Sequence, residues 1–212
     1  FPYLLLLISG GHTQFLEVKG VNNYNRLGTT IDDAVGEAFD KSAKILGLPY
    51  PGGPLIDKYA QLGNPKAYKF TKPKVGELDF SFSGLKTAVL YFYQKEIAAD
   101  PEFVDKNLND ICASIQYTII NILMDKLKKA VKQTGIKHVA IGGGVSANSG
   151  IRKALKEAEQ KYGWKTFVPK FEYTTDNAAM IGIVGYLKYL EENLAETGYT
   201  DTQVMAQSRL KI

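Results

Sequence analysis

The sequence predicts an α/β fold that begins with an antiparallel meander and ends with two strand–helix units. Two short apolar segments, 3–9 and 13–20, flank a glycine turn at 10–11 and are typical of paired strands. Apolar residues recur at helical spacing over 107–135, which predicts a long amphipathic helix. A late series of strand, glycine turn and helix at 138–163 predicts parallel strands joined by right-handed crossovers.

A third strand and the first helix follow the opening pair of strands. The strand is predicted at 24–30, and the helix that follows it is predicted over 29–48. Thr30 or Asp32 can cap this helix, and Gly47 can end it. The apolar positions that recur at helical spacing are Ile31, Val35, Phe39, Ala43 and Leu46.

The remaining elements are mostly helical. A Pro-Gly-Gly-Pro turn at 51–54 starts a short helix, and a last helix is predicted over 174–195. We expect residues 197–212 to wrap the surface. The order of elements matches the ribonuclease-H-like lobe shared by actin, Hsp70 and sugar kinases. Residues 1–212 are therefore predicted to form one such lobe, with a helical insertion at about residues 50–110.

The composition sets limits on the class of protein. A hydrophobic share of 45% is ordinary for a globular domain that buries a core, and a net charge of +4 allows a nucleic-acid partner without implying one. Cys112 is the single cysteine, so the chain forms no internal disulfide, which fits the cytoplasm. Its helical apolar surroundings predict core packing rather than a nucleophile. No apolar run approaches the roughly 20 residues that cross a bilayer, and we expect no membrane partner.

Two glycine turns are the strongest candidates for ligand binding. Residues 9–11, Ser-Gly-Gly, can form an anion nest or an ordinary hairpin turn, and taken alone the hairpin is favoured. His12 follows the turn and is more typical of an orienting or buried group than of a metal ligand. Residues 142–148, GGGVSAN, can approach a nucleotide base or ribose, with Asn148 hydrogen-bonding it. The alternative is a tight turn in which Asn148 or Ser146 caps a helix.

Carboxylates provide weaker signals. Asp33, Glu37 and Lys41 share one helix face, where they can bind ribose hydroxyls or form a solvated helix start. Asp57 lies one turn into a helix after two glycines. Asp176 can cap the last helix or ligate a metal ion, and a metal site would require partners.

Two further segments have open interpretations. Residues 80–89, FSFSGLKTAV, can be a surface loop or a substrate contact. The basic segments 126–137 and 66–74 can contact RNA phosphates, although a solvated face is the favoured interpretation.

Taken in order, these motifs resemble the TsaD family, also called Gcp or YgjD, which makes threonylcarbamoyladenosine in bacterial tRNA. The matching stretches are LLISGGHTQF, GTTIDDAVGEAFDKSAKILGLPYPGGPLIDKYA, FSFSGLKTAV, GGVSANSGIR and TDNAAMIG. They extend from near the first residue to about residue 185, so the resemblance covers nearly all of the chain.

The resemblance implies transfer of the threonylcarbamoyl group from threonylcarbamoyl-AMP to N6 of the tRNA adenosine 3′ of the anticodon. It also implies an ATP-type nucleotide site between two lobes and one divalent metal ion, iron or zinc. The positions that match contacts to the phosphate–carbamoyl part of the ligand are Leu7, Ile8, Ser9, Gly10 and Gly11. The other matching nucleotide contacts are Asp40, Gly53, Asp57 and Asn148. Asp176 matches the carboxylate ligand of the metal.

The family's other metal ligands form a histidine–three-residue–histidine pair that this sequence lacks. His12 and His138 lie far apart, and neither belongs to such a pair. We therefore expect this chain to be the second lobe of a parent protein, without the N-terminal lobe and with an incomplete metal site. The resemblance implies three partners for the parent protein: tRNA, a TsaB-like subunit and a TsaE-like ATPase.

Other functions remain open at this point. A TsaB-like, non-catalytic scaffold that binds a nucleotide shares the predicted fold. A metallopeptidase, the older label of the family, is disfavoured because the chain has no HExxH sequence. A sugar or acetate kinase is a further alternative on the same fold, but the glycine turns lack an obvious base for a hydroxyl.

Overall fold

The computed structural model describes residues 1–21 and 23–191. These residues fall into two compact units, Phe1–Thr175 and a second unit that begins at Asp176. The expected surface segment 197–212 lies outside the described residues. The assignment of the whole chain to one lobe stays a prediction.

One mixed sheet forms the centre of the first unit. Its strands are β1 (Tyr3–Ile8), β2 (Thr13–Val18), β3 (Tyr24–Thr29), β4 (His138–Gly142) and β5 (Lys165–Phe167), in the order β3-β2-β1-β4-β5. The first three strands pair antiparallel, and β1, β4 and β5 pair parallel. The predicted meander and the predicted parallel strands are therefore confirmed.

The described residues of the two units also form α-helices. They are α1 (Val35–Ile45), α2 (Gly52–Ala60), α3 (Ser83–Ala99), α4 (Phe103–Thr134), α5 (Ser149–Tyr162) and, in the second unit, α6 (Ala178–Glu191). The helical insertion at about residues 50–110 stays a prediction, and three helices lie between α1 and β4. Together with the sheet order, they confirm the α/β ribonuclease-H-like fold.

The first helix is anchored differently from its prediction. Helix α1 begins at Val35, whose N–H donates to the buried Thr13 hydroxyl at 2.8 Å. Thr30 instead donates its hydroxyl to the carbonyl of Asp33, so neither Thr30 nor Asp32 caps α1. The helix ends as expected before Gly47, which has a φ of 78°.

Asp32 holds the start of α3. Its carboxylate accepts hydrogen bonds from the Ser81 and Ser83 hydroxyls and from the backbone N–H of Phe82 and Ser83. Burial raises the pKa of Asp32, but these hydrogen bonds outweigh burial and the net pKa is lowered. Phe80 and Phe82 are fully buried, so the interpretation of this segment as a surface loop is wrong.

The long helix α4 supplies much of the core. Many of its apolar side chains are buried, and Gly135 ends it with a φ of 71°. Cys112 is buried in this helix, and burial raises its pKa to about 12. The thiol is therefore a packing group, as predicted. No helix within residues 1–21 and 23–191 is long and apolar enough to span a membrane.

Candidate functional site

Two glycine turns leave the sheet side by side. Strands β1 and β4 are parallel neighbours, with Leu7 opposite Gly142, so both chains exit at the same edge. The strand on the other side of β1 is antiparallel to it. Ligands in open α/β sheets bind at the carboxyl ends of strands where the connections diverge. We call the segments Ser9–Gly11 and Gly143–Gly144 at this edge the glycine edge.

The first turn is a tight hairpin closed by Ser9. The Ser9 hydroxyl accepts hydrogen bonds from the N–H groups of Gly11, at 3.3 Å, and His12, at 2.9 Å. The Ser9 N–H donates to the carbonyl of His12 at 2.8 Å. Its hydroxyl oxygen therefore closes the turn as an acceptor, and the hairpin interpretation is confirmed. Of the two roles expected for His12, an orienting or a buried group, the buried one is wrong, because His12 is exposed.

Close backbone contacts bring α1 and the second turn onto the end of β1. The Gly36 N–H donates to the Ser9 carbonyl at 3.1 Å, and a Cβ at Gly36 would lie 2.7 Å from that oxygen. Gly143 has a φ of 88°, and a Cβ there would lie 2.4 Å from the Ile8 carbonyl oxygen. Only glycine fits these two positions without a shift of backbone.

Other glycines at this edge face open space. A Cβ added at Gly10, Gly11 or Gly144 would meet no described atom within 4 Å. The N–H groups of Gly10 and Gly144 have no acceptor in the described part of the chain. Unpaired N–H groups beside a helix N-terminus, here that of α1, suit a phosphate or another anion. Nearby, the hydroxyl oxygen of the fully buried Ser146 has no hydrogen-bond partner among residues 1–21 and 23–191.

Asp40 and Gly53 meet at the start of α2. One Asp40 carboxylate oxygen accepts hydrogen bonds from Gly52 N–H at 2.8 Å and Gly53 N–H at 3.0 Å. This carboxylate therefore holds α1 and α2 together, and it occupies the N–H groups that the glycines could offer to a ligand.

Four side chains form a second cluster, which we call the polar junction: Asp57, Gln116, Asn148 and Ser149. Asp57 accepts from Gln116 at 3.0 Å, from the Ser149 hydroxyl at 2.7 Å and from Ser149 N–H at 2.9 Å. Asn148 donates to Gln116 at 2.7 Å and accepts from Ile151 N–H at 3.0 Å, so it caps α5 as the alternative interpretation proposed. The junction ties together α2, α4 and α5.

Gln116 and Ser149 are site residues that sequence reasoning missed. The position of Gln116 could have indicated a specific role, because this polar side chain falls among the buried positions of α4 and is only 6% exposed. A buried polar side chain normally has a specific partner. That partner, Asp57, lies 59 residues away in the sequence, so its identity required the fold.

Arg152 is another group that sequence reasoning missed. Its guanidinium donates to the Ser146 carbonyl at 2.7 Å and to the Pro169 carbonyl at 2.8 Å. It also lies 4.0 Å from the centre of the Phe171 ring. Arg152 therefore fixes the GGGVSAN loop to the segment that follows β5.

The acidic face of α1 is paired within the protein. Lys41 forms ion pairs of 2.7 Å with Asp33 and with Glu37. The hydrogen bond from Lys41 lowers the pKa of Glu37, and the pKa of Lys41 is raised by hydrogen bonds to Asp33 and Glu37. This arrangement agrees with the structural interpretation of these charges rather than with a ligand site.

Asp176 belongs to the second unit. It is exposed, and the cap of α6 is Asn177, which accepts from Met180 N–H at 3.1 Å, rather than Asp176. Within residues 1–21 and 23–191, no group of three or more His, Cys, Asp or Glu side chains could hold a metal ion. The described residues therefore do not form a metal site by themselves.

A large groove runs between α2, α4 and α5. Its volume is about 810 Å³, and Gln116 and Ser149 of the polar junction line one end. Lys128, Lys161 and Tyr162 line the other end. The groove therefore begins beside the predicted nucleotide contacts Asp57 and Asn148.

Comparison with protein families gives one match over most of the chain. The model of TsaD, tRNA N6-adenosine threonylcarbamoyltransferase, matches residues 1–183. A protein of that description from Christiangramia forsetii is 73% identical over 211 residues, which are 100% of this chain and 61% of the relative. One from Riemerella anatipestifer is 56% identical over 202 residues, 95% of this chain and 59% of the relative. The chain thus spans about three fifths of these relatives.

Solved structures share the fold at low sequence identity. A full-length HypF in its phosphate- and nucleotide-bound form matches with a TM-score of 0.67 and 14% identity, over 90% of this chain and 34% of HypF. HypF of T. kodakarensis matches with a TM-score of 0.50 and 21% identity, over 81% of this chain and 21% of HypF. At these identities, the likeness concerns the fold alone.

Proposed function

The chain belongs to the TsaD family, and on that premise we propose that the whole protein is a tRNA N6-adenosine threonylcarbamoyltransferase. Its substrates are threonylcarbamoyl-AMP and a tRNA whose target adenosine lies 3′ of the anticodon. The bond between N6 and the carbonyl carbon forms, and the bond between that carbon and the phosphate oxygen breaks. AMP leaves, and N6 gives up one proton.

The glycine edge is the observation that carries this proposal. Gly10 and Gly144 present N–H groups without a described acceptor, and open space lies where side chains would stand. The phosphate and carbonyl oxygens of the adenylate are acceptors that fit such donors. Leu7 and Ile8 bring the first turn to this place as the last residues of β1.

The polar junction supports a place for the nucleoside. Asp57 and Asn148 hydrogen-bond to Gln116 and Ser149, which line one end of the groove, and the groove is large enough for a base and ribose. Asp40 and Gly53 contribute by fixing the start of α2. A HypF structure that shares this fold is nucleotide-bound.

The proposed reaction needs positioning more than a protein nucleophile. Threonylcarbamoyl-AMP is an activated mixed anhydride, and AMP is a good leaving group. Backbone N–H groups at the glycine edge can stabilise the oxyanion that develops on the carbonyl oxygen. Holding that carbon against N6 removes much of the entropic cost of bringing two substrates together.

A divalent metal ion, iron or zinc, is implied by the family resemblance. Asp176 is the one candidate ligand that we assign in this chain, and a single exposed carboxylate does not complete a site. We propose that Asp176 contributes one ligand and that residues outside this chain supply the others.

The proposed partners follow from the same function. They are tRNA as substrate, a TsaB-like subunit and a TsaE-like ATPase. Because the substrate is tRNA, we expect the protein to act in the cytoplasm.

A hybrid protein tests the proposal. This chain replaces the matched 211 residues of the Christiangramia forsetii relative, and the purified hybrid receives threonylcarbamoyl-AMP, unmodified tRNA and the relative's own partner proteins. We expect threonylcarbamoyladenosine in the digested tRNA and one AMP for each modified nucleoside, measured by chromatography with mass spectrometry. The parent relative is the positive control.

Two results would contradict the proposal. One is a folded hybrid that binds nucleotide but forms no modified nucleoside while the parent relative does; this outcome favours the nucleotide-binding scaffold. The other is a folded hybrid that binds no adenylate in calorimetry.

A further inference from the structure

The groove carries charges along its length that the proposed chemistry does not use. Lys128 projects from α4, and Lys153 and Lys161 project from α5, all into the lining of the groove. Tyr117 and Tyr162 line it as well. We call these five residues the basic groove.

Positive charge exceeds negative charge in this lining. Three lysines stand against one carboxylate, Glu157, and Lys153 has no ion-pair partner in the described residues. Lys128 pairs with Asp125 at 3.3 Å, in a pair whose side chains are more than 40% exposed. Such an exposed pair contributes little and leaves Lys128 available to an anion.

Aromatic rings accompany these cations. Tyr117 is 40% exposed and Tyr162 is 36% exposed, so both residues are accessible to solvent. The ammonium groups of Lys128 and Lys161 lie 5.9 Å and 5.5 Å from the centre of the Tyr162 ring. Trp164 packs against Tyr162 with 5.3 Å between ring centres and holds it in place.

The groove is longer than a single nucleotide. Helix α5 has 14 residues, so its flank of the groove extends for about 20 Å from Ser149 to Tyr162. Lys153 and Lys161 lie eight residues apart, about 12 Å along the helix. Spaced cations with exposed rings between them are the features that bind single-stranded nucleic acid.

We propose that the basic groove binds a single-stranded segment of the tRNA substrate, with Lys128, Lys153 and Lys161 at its phosphates and the tyrosine rings against its bases. The proposal rests on the proposed function, because it takes the RNA to be the substrate. It separates the chain into two binding regions, the glycine edge and polar junction for the adenylate and the basic groove for RNA.

Charge reversal with a matched control tests this role. The variant Lys128→Glu/Lys161→Glu changes the groove, and Lys44→Glu/Lys95→Glu makes the same change of net charge on exposed positions of α1 and α3. The affinity of the hybrid protein for fluorescein-labelled unmodified tRNA is measured by anisotropy between 50 and 200 mM salt. Circular dichroism and thermal unfolding check that each variant folds.

We expect the groove variant to bind tRNA at least tenfold more weakly and the control to stay within twofold of the parent. Each lost phosphate contact reduces the magnitude of the slope of log K against log salt concentration by about 0.7. For the groove variant, which loses two contacts, we expect this magnitude to fall by about 1.4. The single variant Lys153→Glu breaks no ion pair of the described residues, and we expect it to weaken tRNA binding about threefold. It replaces the double variant in the test if the double variant does not fold.

The proposal would be overturned if tRNA binding weakened equally in the groove variant and the control, or if the groove variants kept their affinity for tRNA. It would also be overturned if an acidic peptide or free AMP, but not RNA, competed for the groove. The transfer assay separates this outcome from the proposed function. A hybrid that modifies tRNA with unchanged affinity in the groove variants refutes the groove alone. Groove-dependent tRNA binding without any transfer refutes the proposed reaction alone.

Discussion

The glycine edge and the polar junction use their hydrogen-bonding groups in opposite ways. At the glycine edge, the N–H groups of Gly10 and Gly144 face open space without a described acceptor. At the polar junction, both oxygens of Asp57 and both ends of the Asn148 amide already have partners. Both regions were predicted as ligand contacts, yet only the first has free donors.

This difference teaches that one predicted site can contain residues that hold the fold together as well as residues whose donors remain free for a ligand. A change at the junction should reduce stability because it leaves buried polar partners unsatisfied. A change on the open face of the glycine edge should affect ligand binding and leave the fold intact. Substitutions at Gly143, Asp57, Asp32 and Gly10 test this division, and the first should reduce stability the most.

The packed side of the glycine edge should be the most sensitive point. Gly143→Ala places a Cβ 2.4 Å from the Ile8 carbonyl oxygen at a φ of 88°, so backbone must move. We expect a loss of about 3 kcal/mol or more in the free energy of unfolding, measured by urea denaturation. Gly144→Ala, one residue later, is the control and should lose less than about 1 kcal/mol. Equal losses in both variants would contradict the close packing of Gly143.

Removal of the Asp57 carboxylate should cause the second-largest loss of stability. Asp57→Ala leaves Gln116 and Ser149 without their shared acceptor, and we expect a loss of about 2–3 kcal/mol in unfolding free energy. Asp57→Asn keeps the shape and one acceptor oxygen, so its loss should be smaller. If Asp57→Ala unfolds at the same urea concentration as the parent, the junction does not hold the helices together.

The contribution of Asp32 to the stability of the fold should depend on pH. Its hydrogen bonds to Ser81, Phe82 and Ser83 lower its folded pKa, so its contribution is present above its unfolded pKa of about 3.9. The contribution disappears as the pH falls through the lower folded pKa. Asp32→Ala should cost about 1–2 kcal/mol at pH 7 and progressively less below about pH 4. The measurement is urea denaturation from pH 2 to pH 7, and a loss that is equal at every pH would contradict this role of Asp32.

The smallest change in stability is expected on the open face. Gly10→Ala adds a methyl group where no described atom lies within 4 Å, so unfolding should shift by less than about 0.5 kcal/mol. The same methyl group would occupy ligand space, and we expect at least tenfold weaker binding of an adenylate to the hybrid protein by calorimetry. Unchanged affinity would remove Gly10 from the site.

Some features were predictable because they depend on local sequence. The strands of the meander, the helix ends at Gly47 and Gly135, and the packing role of Cys112 follow from period and residue type. The cap of α1 was not predictable in this way. Asp32 stands where a cap of α1 is expected, but its partners Ser81 and Ser83 lie about 50 residues away.

By itself, the sequence determined the α/β class, the order of elements, and the family through its series of glycine and carboxylate motifs. Only the tertiary structure decided which of those groups are free. In the folded chain, Asp57 accepts hydrogen bonds from Gln116 and Ser149, and Asn148 donates to Gln116. Open space lies beside Gly10, and the lysines of α4 and α5 line one groove. The physical reason is that hydrogen-bond satisfaction depends on distant partners, which local patterns do not specify.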